Sequence, residues 1–211
     1  MIKILIADDH AIVREGLKQI VAEESGMQVS GEAGSVAELF DLLRREPWDI
    51  VILDINMPGK SGLEALKQMR SEFPKIPALV LSMYSEEQYG LRSIKAGAAG
   101  YLKKVSAPAE LVQAIRTIVS GRNYFNAELV EKMALNLQTD RTKLPHETLS
   151  DREYQILCQI ALGESAETIA GNLSLSIHTV YSYRNRIMDK LGLKSNVELT
   201  QYALQNKLIE L

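Results

Sequence analysis

Five short runs rich in Ile, Val and Leu recur along the first half of this chain, at Ile2–Ala7, Gln28–Ala33, Ile50–Asp54, Ala78–Ser82 and Gly100–Lys103. Between them lie stretches with the apolar period of a helix. Buried strands of a parallel sheet read as continuous hydrophobic runs and their crossovers are helices, so the alternation predicts an α/β, doubly wound (βα)5 sheet. Helix starts carry their own signals. Ser35-Val-Ala-Glu38, Ser61-Gly-Leu-Glu64 and Ser85-Glu-Glu-Gln88 each set a hydroxyl three residues ahead of a carboxylate or amide, the spacing of a capping box.

After Ala107–Gly121, which reads as the fifth helix, the pattern changes and no further alternating strand follows. Ala127–Leu137 has a helical pattern, and residues 138–148 are polar with Pro145 among them, a linker composition. Four short helical patterns then follow, at Asp151–Leu162, Ala166–Leu173, Ile177–Leu191 and Val197–Asn206, the first opened by the box Ser150-Asp-Arg-Glu153. The organisation expected is a first domain over 1–121, a helical and flexible linker over 122–148, and a smaller all-α four-helix domain over 149–211. At 211 residues, 46% of them hydrophobic and 24% charged, the chain has the length and mix for two globular domains.

Asp8 and Asp9 end the first predicted strand, Asp54 ends the third, and Lys104 follows the fifth. In an open α/β sheet, functional groups collect at the carboxyl ends of the strands where the strand order reverses, so four charges from distant segments should meet there. Three crowded carboxylates repel, and such a cluster either holds a proton or binds a cation. An all-oxygen site with few protein ligands suits Mg2+. The plainer alternative is that each Asp caps a helix or turn. Capping requires neither the doublet nor the lysine.

These residues resemble a known family. Ile6-Ala7-Asp8-Asp9-His10, Asp54-Ile55-Asn56-Met57-Pro58-Gly59 with Ser61-Gly62, Leu81-Ser82, and Gly100-Tyr101-Leu102-Lys103-Lys104 look like the receiver domain of two-component response regulators, over about residues 1–121. The resemblance implies that Asp54 accepts a phosphoryl group from a sensor histidine kinase. It implies a Mg2+ site formed by Asp8, Asp9, Asp54 and the backbone carbonyl of Asn56. It further implies that Lys104 and Ser82 stabilise the phosphoryl group, while Tyr101 swings inward behind Ser82. The family often has proline after the lysine, in a cis peptide; Val105 stands there, and a trans bond is expected.

In the second domain, two helical patterns meet across the break Ser174-Leu175-Ser176, the spacing of a helix-turn-helix. In the second of them Ile177, Val180, Ile187 and Leu191 should face the core, with His178, Thr179, Ser182, Asn185, Arg186 and Asp189 exposed and Tyr181 near the boundary. From His178 to Lys194, four basic residues (Arg184, Arg186, Lys190, Lys194) stand against Asp189, a local +3 in a chain of formal charge −3. A histone-like basic coat is excluded, whereas a local phosphate-contacting patch is not. A solvated helical face is the bland alternative.

Leu149-Ser-Asp-Arg-Glu153, Ile169-Ala170, Leu175-Ser176, Thr179-Val180 and Lys190-Leu191-Gly192-Leu193 resemble the DNA-binding domain of the LuxR type. Joined to a receiver, the chain resembles the NarL/FixJ class. Thr179 at the helix start and Lys190 should contact phosphate, and Tyr181, Ser182, Asn185 and Arg186 should reach base edges of double-stranded DNA, with Arg184 close to the apolar face. Where the class commonly has a basic residue and a histidine, Tyr181 and Tyr183 stand, which removes a bidentate guanine contact. Gly171 either permits close helix packing or simply lowers stability.

The expectation is a cytoplasmic transcription regulator in which the resting receiver hides the recognition helix, and phosphorylation frees it and favours a homodimer. The last helix and the face around Tyr101 are the candidate dimer surfaces. No run approaches the roughly 20 apolar residues of a membrane span, and the start turns acidic where a signal peptide stays apolar. The single Cys158 reads as a core residue, and His10, His146 and His178 are too scattered to suggest zinc. Two rivals use the same residues: an aspartyl-phosphate phosphatase, disfavoured because Asn56 stands where such enzymes carry an acid, and a regulator whose last domain docks a protein.

Overall fold

The computed structural model describes residues 1–57, 59–138 and 144–209. It forms two compact units, Met1–Glu131 and Lys132–Leu211.

The first unit contains β1 (Ile2–Ala7), α1 (Ala11–Ala22), β2 (Met27–Ala33), α2 (Val36–Arg45), β3 (Ile50–Asp54), α3 (Gly62–Glu72), β4 (Ala78–Ser82), α4 (Glu86–Ala96), β5 (Gly100–Lys103) and α5 (Ala107–Val119). All sheet pairings are parallel, in the order β2-β1-β3-β4-β5. This is the expected doubly wound sheet. β3 and β4 are buried along their whole length, which is why their sequences run apolar without alternation. On one face, Ile4, Ile6, Ile50, Ile52, Leu79 and Leu81 pack with Leu17 and Val21 of α1 and Leu111, Ile115 and Ile118 of α5.

The predicted caps take three forms. Ser61 and Glu64 form the full reciprocal box at the start of α3. At α2, Ser35 Oγ accepts from the Glu38 amide (3.3 Å), but the Glu38 carboxylate accepts from Gly34 instead of Ser35. At α4, Gln88 Oε1 accepts from the Ser85 amide at 3.1 Å.

One sheet contact was not expected. After α5 the chain turns at Gly121 (φ 86°) and Tyr124 makes a single parallel bridge to β5: the Tyr101 amide donates to the Tyr124 carbonyl (3.0 Å), and the Tyr124 amide to that of Ala99 (2.9 Å). A one-residue pairing leaves no period in the sequence. α6 (Ala127–Gln138) follows, and its Leu129 is buried against Gly90 of α4, where a side-chain carbon would collide with it. Of the predicted linker, residues 139–143 lie outside the described residues, and Pro145–Thr148 forms a short 3-10 turn.

The second unit holds α7 (Asp151–Ala161), α8 (Ala166–Leu173), α9 (Ile177–Leu191) and α10 (Asn196–Gln205), with α7 packed on the other three. Ser150 and Glu153 make the predicted box. Arg152 Nη2 donates to the carbonyl of Leu173 at 2.7 Å, fastening α7 to the end of α8 just before the turn. Cys158 is buried, as expected. One reading is corrected, and one pair of alternatives is decided. Ile177 is 40% exposed and Met188 is buried in its stead, so the packed stripe of α9 is Val180, Ile187 and Met188, with Leu191 half-buried. A stripe drawn by period alone ran off the packed surface at the first residue of the helix. Gly171 is exposed with open space around its α-carbon, so no close helix approach requires it.

Candidate functional site

β1 and β3 are neighbours, with Ala7 opposite Leu53, so the residues that follow them emerge side by side at the point where the strand order reverses. Asp8 and Asp54 are 1% and 2% exposed, which means that their charges depend on partners and not on water. Lys104, at the start of the 3-10 turn after β5, supplies the partner: its Nζ lies 2.8 Å from Asp54 Oδ2 and 2.6 Å from Asp8 Oδ2. The other Asp54 oxygen accepts from the Asn56 amide (3.0 Å). Burial pushes the Asp54 carboxyl above its ordinary range, with the Asp8 charge adding to it and Lys104 and the Asn56 amide pulling the other way. Burial works against the Lys104 ammonium, but Asp54 and Asp8 outweigh it and raise its pKa. No cis peptide occurs among the described residues, in keeping with Val105 at this turn.

Asp9 is half-exposed at the mouth. Ligand atoms of Asp8, Asp9, His10 and Asp54 all lie within 4.8 Å of one another. Asp8 Oδ2 and Asp9 Oδ1 are buried and accept no well-aligned hydrogen bond; each meets only a nitrogen, of Lys104 and of His10 (2.8 Å) respectively. Hard carboxylate oxygens left in this state fit a Mg2+ ion. His10 was missed as a member of the cluster. Its only signal was its place directly after the doublet.

Ser82 and Tyr101 are fully buried behind this pocket. Ser82 Oγ accepts from the Tyr84 amide (3.1 Å) and the Tyr101 hydroxyl donates to the Tyr84 carbonyl (2.9 Å), so both grip one residue of the β4–α4 loop. Tyr84 in turn stacks on Tyr89 of α4, ring centroids 4.8 Å apart. Burial, foremost, pushes the Tyr101 phenol far up. The inward position expected of Tyr101 on phosphorylation is the one it occupies here.

In the helical unit, α8 ends on Ser174 in a left-handed conformation, and Ser176 caps α9 by accepting from the Thr179 amide (3.0 Å). Of the residues predicted to meet DNA, Tyr181, Ser182, Asn185, Arg186 and Lys190 are exposed, and Thr179 and Arg184 half-exposed. Their partners differ. Ser182 Oγ donates to the His178 carbonyl (2.9 Å), Arg184 Nε to Asn196 (2.7 Å), and Lys190 Nζ to Glu153 (2.7 Å). The Arg186 guanidinium lies 5.7 Å from the Tyr183 ring centre.

Residues 4–116 match the response regulator receiver domain family, and residues 147–203 the luxR family of bacterial regulatory proteins. The chain is a two-component response regulator of the NarL/FixJ class. The regulator is 37% identical over 209 residues to response regulator UvrY of Escherichia coli (strain K12), covering 99% of this chain and 96% of that protein. Among solved structures it resembles RcsB of Salmonella enterica serovar Typhimurium bound to promoter rprA in the presence of the phosphomimetic BeF3- (25% identity, TM-score 0.65, 95% and 97% of the two chains). It also resembles two RcsB dimers bound to two parallel DNAs (26% identity, TM-score 0.58, 97% and 98%). No helix among the regulator's described residues is long and apolar enough to cross a membrane.

Proposed function

We propose that Asp54 is the phosphoacceptor of this regulator, and the observation that carries the reading is its buried carboxylate, held between Lys104 and the Asp8-Asp9 doublet. An Asp54 oxygen attacks phosphorus in line, forming a P–O bond as the P–N bond to the kinase histidine breaks and the departing imidazole keeps the electron pair. Such transfer is chiefly positioning and charge stabilisation. Asp8, Asp9, Asp54 and the carbonyl of Asn56 would hold Mg2+, which when bound supplies positive charge beside the phosphoryl oxygens. Lys104, already 2.8 Å from the acceptor, turns its ammonium onto the transferred group. Ser82 exchanges the Tyr84 amide for a phosphoryl oxygen, to which it donates, and Tyr101 fills the space behind it. Asn56, two residues on from the acceptor, offers no acid for turnover of phosphate esters, so we read the chain as an acceptor and not an enzyme.

The output is read on α9. Thr179 and Lys190 contact phosphates, Tyr181, Ser182, Asn185 and Arg186 reach base edges, and Arg184 stiffens the face through Asn196. The phosphorylated chain binds paired half-sites as a homodimer in the cytoplasm, a reading supported by the dimers and promoter complex of RcsB.

The test compares the native chain with Asp54→Asn after incubation with Mg2+ and acetyl phosphate, by intact mass and by DNA affinity. One phosphate on the native chain only, with tighter DNA binding, is the expected result. No phosphate, or phosphate with unchanged DNA binding, would overturn the switch.

A further inference from the structure

We infer that Arg14, on the first turns of α1, is a positioning residue for the Asp8-Asp9 doublet and so for Mg2+ uptake, an inference that rests on the phosphoryl-transfer reading above. Asp9 is the least supported group of the pocket: among the described residues its carboxylate meets the His10 ring, which is itself 60% exposed, and Oδ1 accepts no well-aligned hydrogen bond. Its direction is therefore set by the backbone that carries it. Two bonds from other elements tie that backbone at Asp8. The Asp8 amide donates to the Ala33 carbonyl (3.1 Å), and Arg14 Nη1 donates to the Asp8 carbonyl at 2.7 Å. His10 gives α1 no side-chain cap, and the remaining tie is local to the turn, the His10 amide donating to Asp8 Oδ1 (2.8 Å).

Arg14 is itself held. Its Nε donates to Glu32 Oε2 on β2 (3.1 Å), and Lys18 Nζ donates to Glu32 Oε1 (2.9 Å). The Lys18 contact, foremost, keeps the Glu32 carboxyl below its ordinary range, although burial opposes it. A planar guanidinium can serve a carbonyl and a carboxylate at once from fixed directions, which a lysine cannot. The side chain is 19% exposed, so these bonds are partly shielded from water. Arg14 touches neither Asp54 nor a ligand oxygen; it acts through the Asp8 carbonyl. Groups that orient metal ligands in this way typically govern affinity by about 10–100-fold.

The experiment titrates MgCl2 alone into the full chain and into Arg14→Gln, Arg14→Lys and Glu32→Gln by calorimetry, then measures acetyl phosphate uptake against Mg2+ concentration. Arg14→Gln should weaken Mg2+ binding by about tenfold or more. Its uptake rate at saturating Mg2+ should stay within about twofold of the native rate, with the half-maximal Mg2+ concentration raised in step. Arg14→Lys and Glu32→Gln should fall between. Unchanged Mg2+ affinity in a folded Arg14→Gln overturns the inference. If Arg14→Gln fails to fold, unchanged affinity in both other variants overturns it equally. A native chain that binds no Mg2+ would instead overturn the phosphoryl-transfer reading itself.

Discussion

A methyl group at position 62 has nowhere to go. A side-chain carbon there would collide with the Asp54 carbonyl oxygen and the Ile55 α-carbon, because the Gly62 amide donates to the Ile55 carbonyl (3.1 Å) and draws α3 against the end of β3. Gly62→Ala must therefore shift the turn that carries the acceptor. We expect a loss of about 1–3 kcal/mol in denaturant unfolding, the scale of overpacking a tight site, and slower phosphate uptake by mass spectrometry. The charged residues of the pocket were legible in sequence because strand ends converge by topology, whatever the details between them. What Gly62 must avoid, and what Arg14 and His10 touch, depends on approaches of a few ångströms between segments that no periodicity records.

At the scale of elements, α7 and α9 are joined by Glu153 and Lys190. Burial works against the Glu153 carboxylate, but Lys190 and the Ser150 amide and hydroxyl outweigh it and hold its pKa below the usual range. A lowered folded value means that this contribution is fully present above the unfolded pKa, about 4.3, and is lost as pH falls through the folded one. The stability of the helical unit to urea in the full chain should thus fall as pH drops below about 5 and go on falling through the lowered Glu153 value, and Lys190→Met should reduce that dependence. The box Ser150–Glu153 was legible because it is local. Its link to Lys190, a residue whose sequence context points only to a phosphate contact, spans 37 residues and was not. The same contrast holds for the strands, where long buried runs marked β1 to β5 and the single pairing of Tyr124 left no mark.

Across the whole molecule, a net charge of −3 supplies no general attraction for DNA, so contacts with phosphate rest on a local cluster such as Arg184, Arg186 and Lys190 of α9. Binding that rests on such contacts releases counterions, so affinity should fall by roughly a hundredfold or more between about 50 and 200 mM salt. A flat response in an anisotropy titration would favour a protein partner for this domain. The bridge from Tyr124 to β5 bears on solution behaviour as well. β5 is the rim of the sheet, and an uncovered rim of amides and carbonyls is a template for other chains. The few residues after α5 act as a guard rail there. A receiver cut at 121 would bare that rim to its neighbours, whereas one carried through α6 keeps the Tyr124 pairing, so where such a fragment ends decides how readily it meets copies of itself.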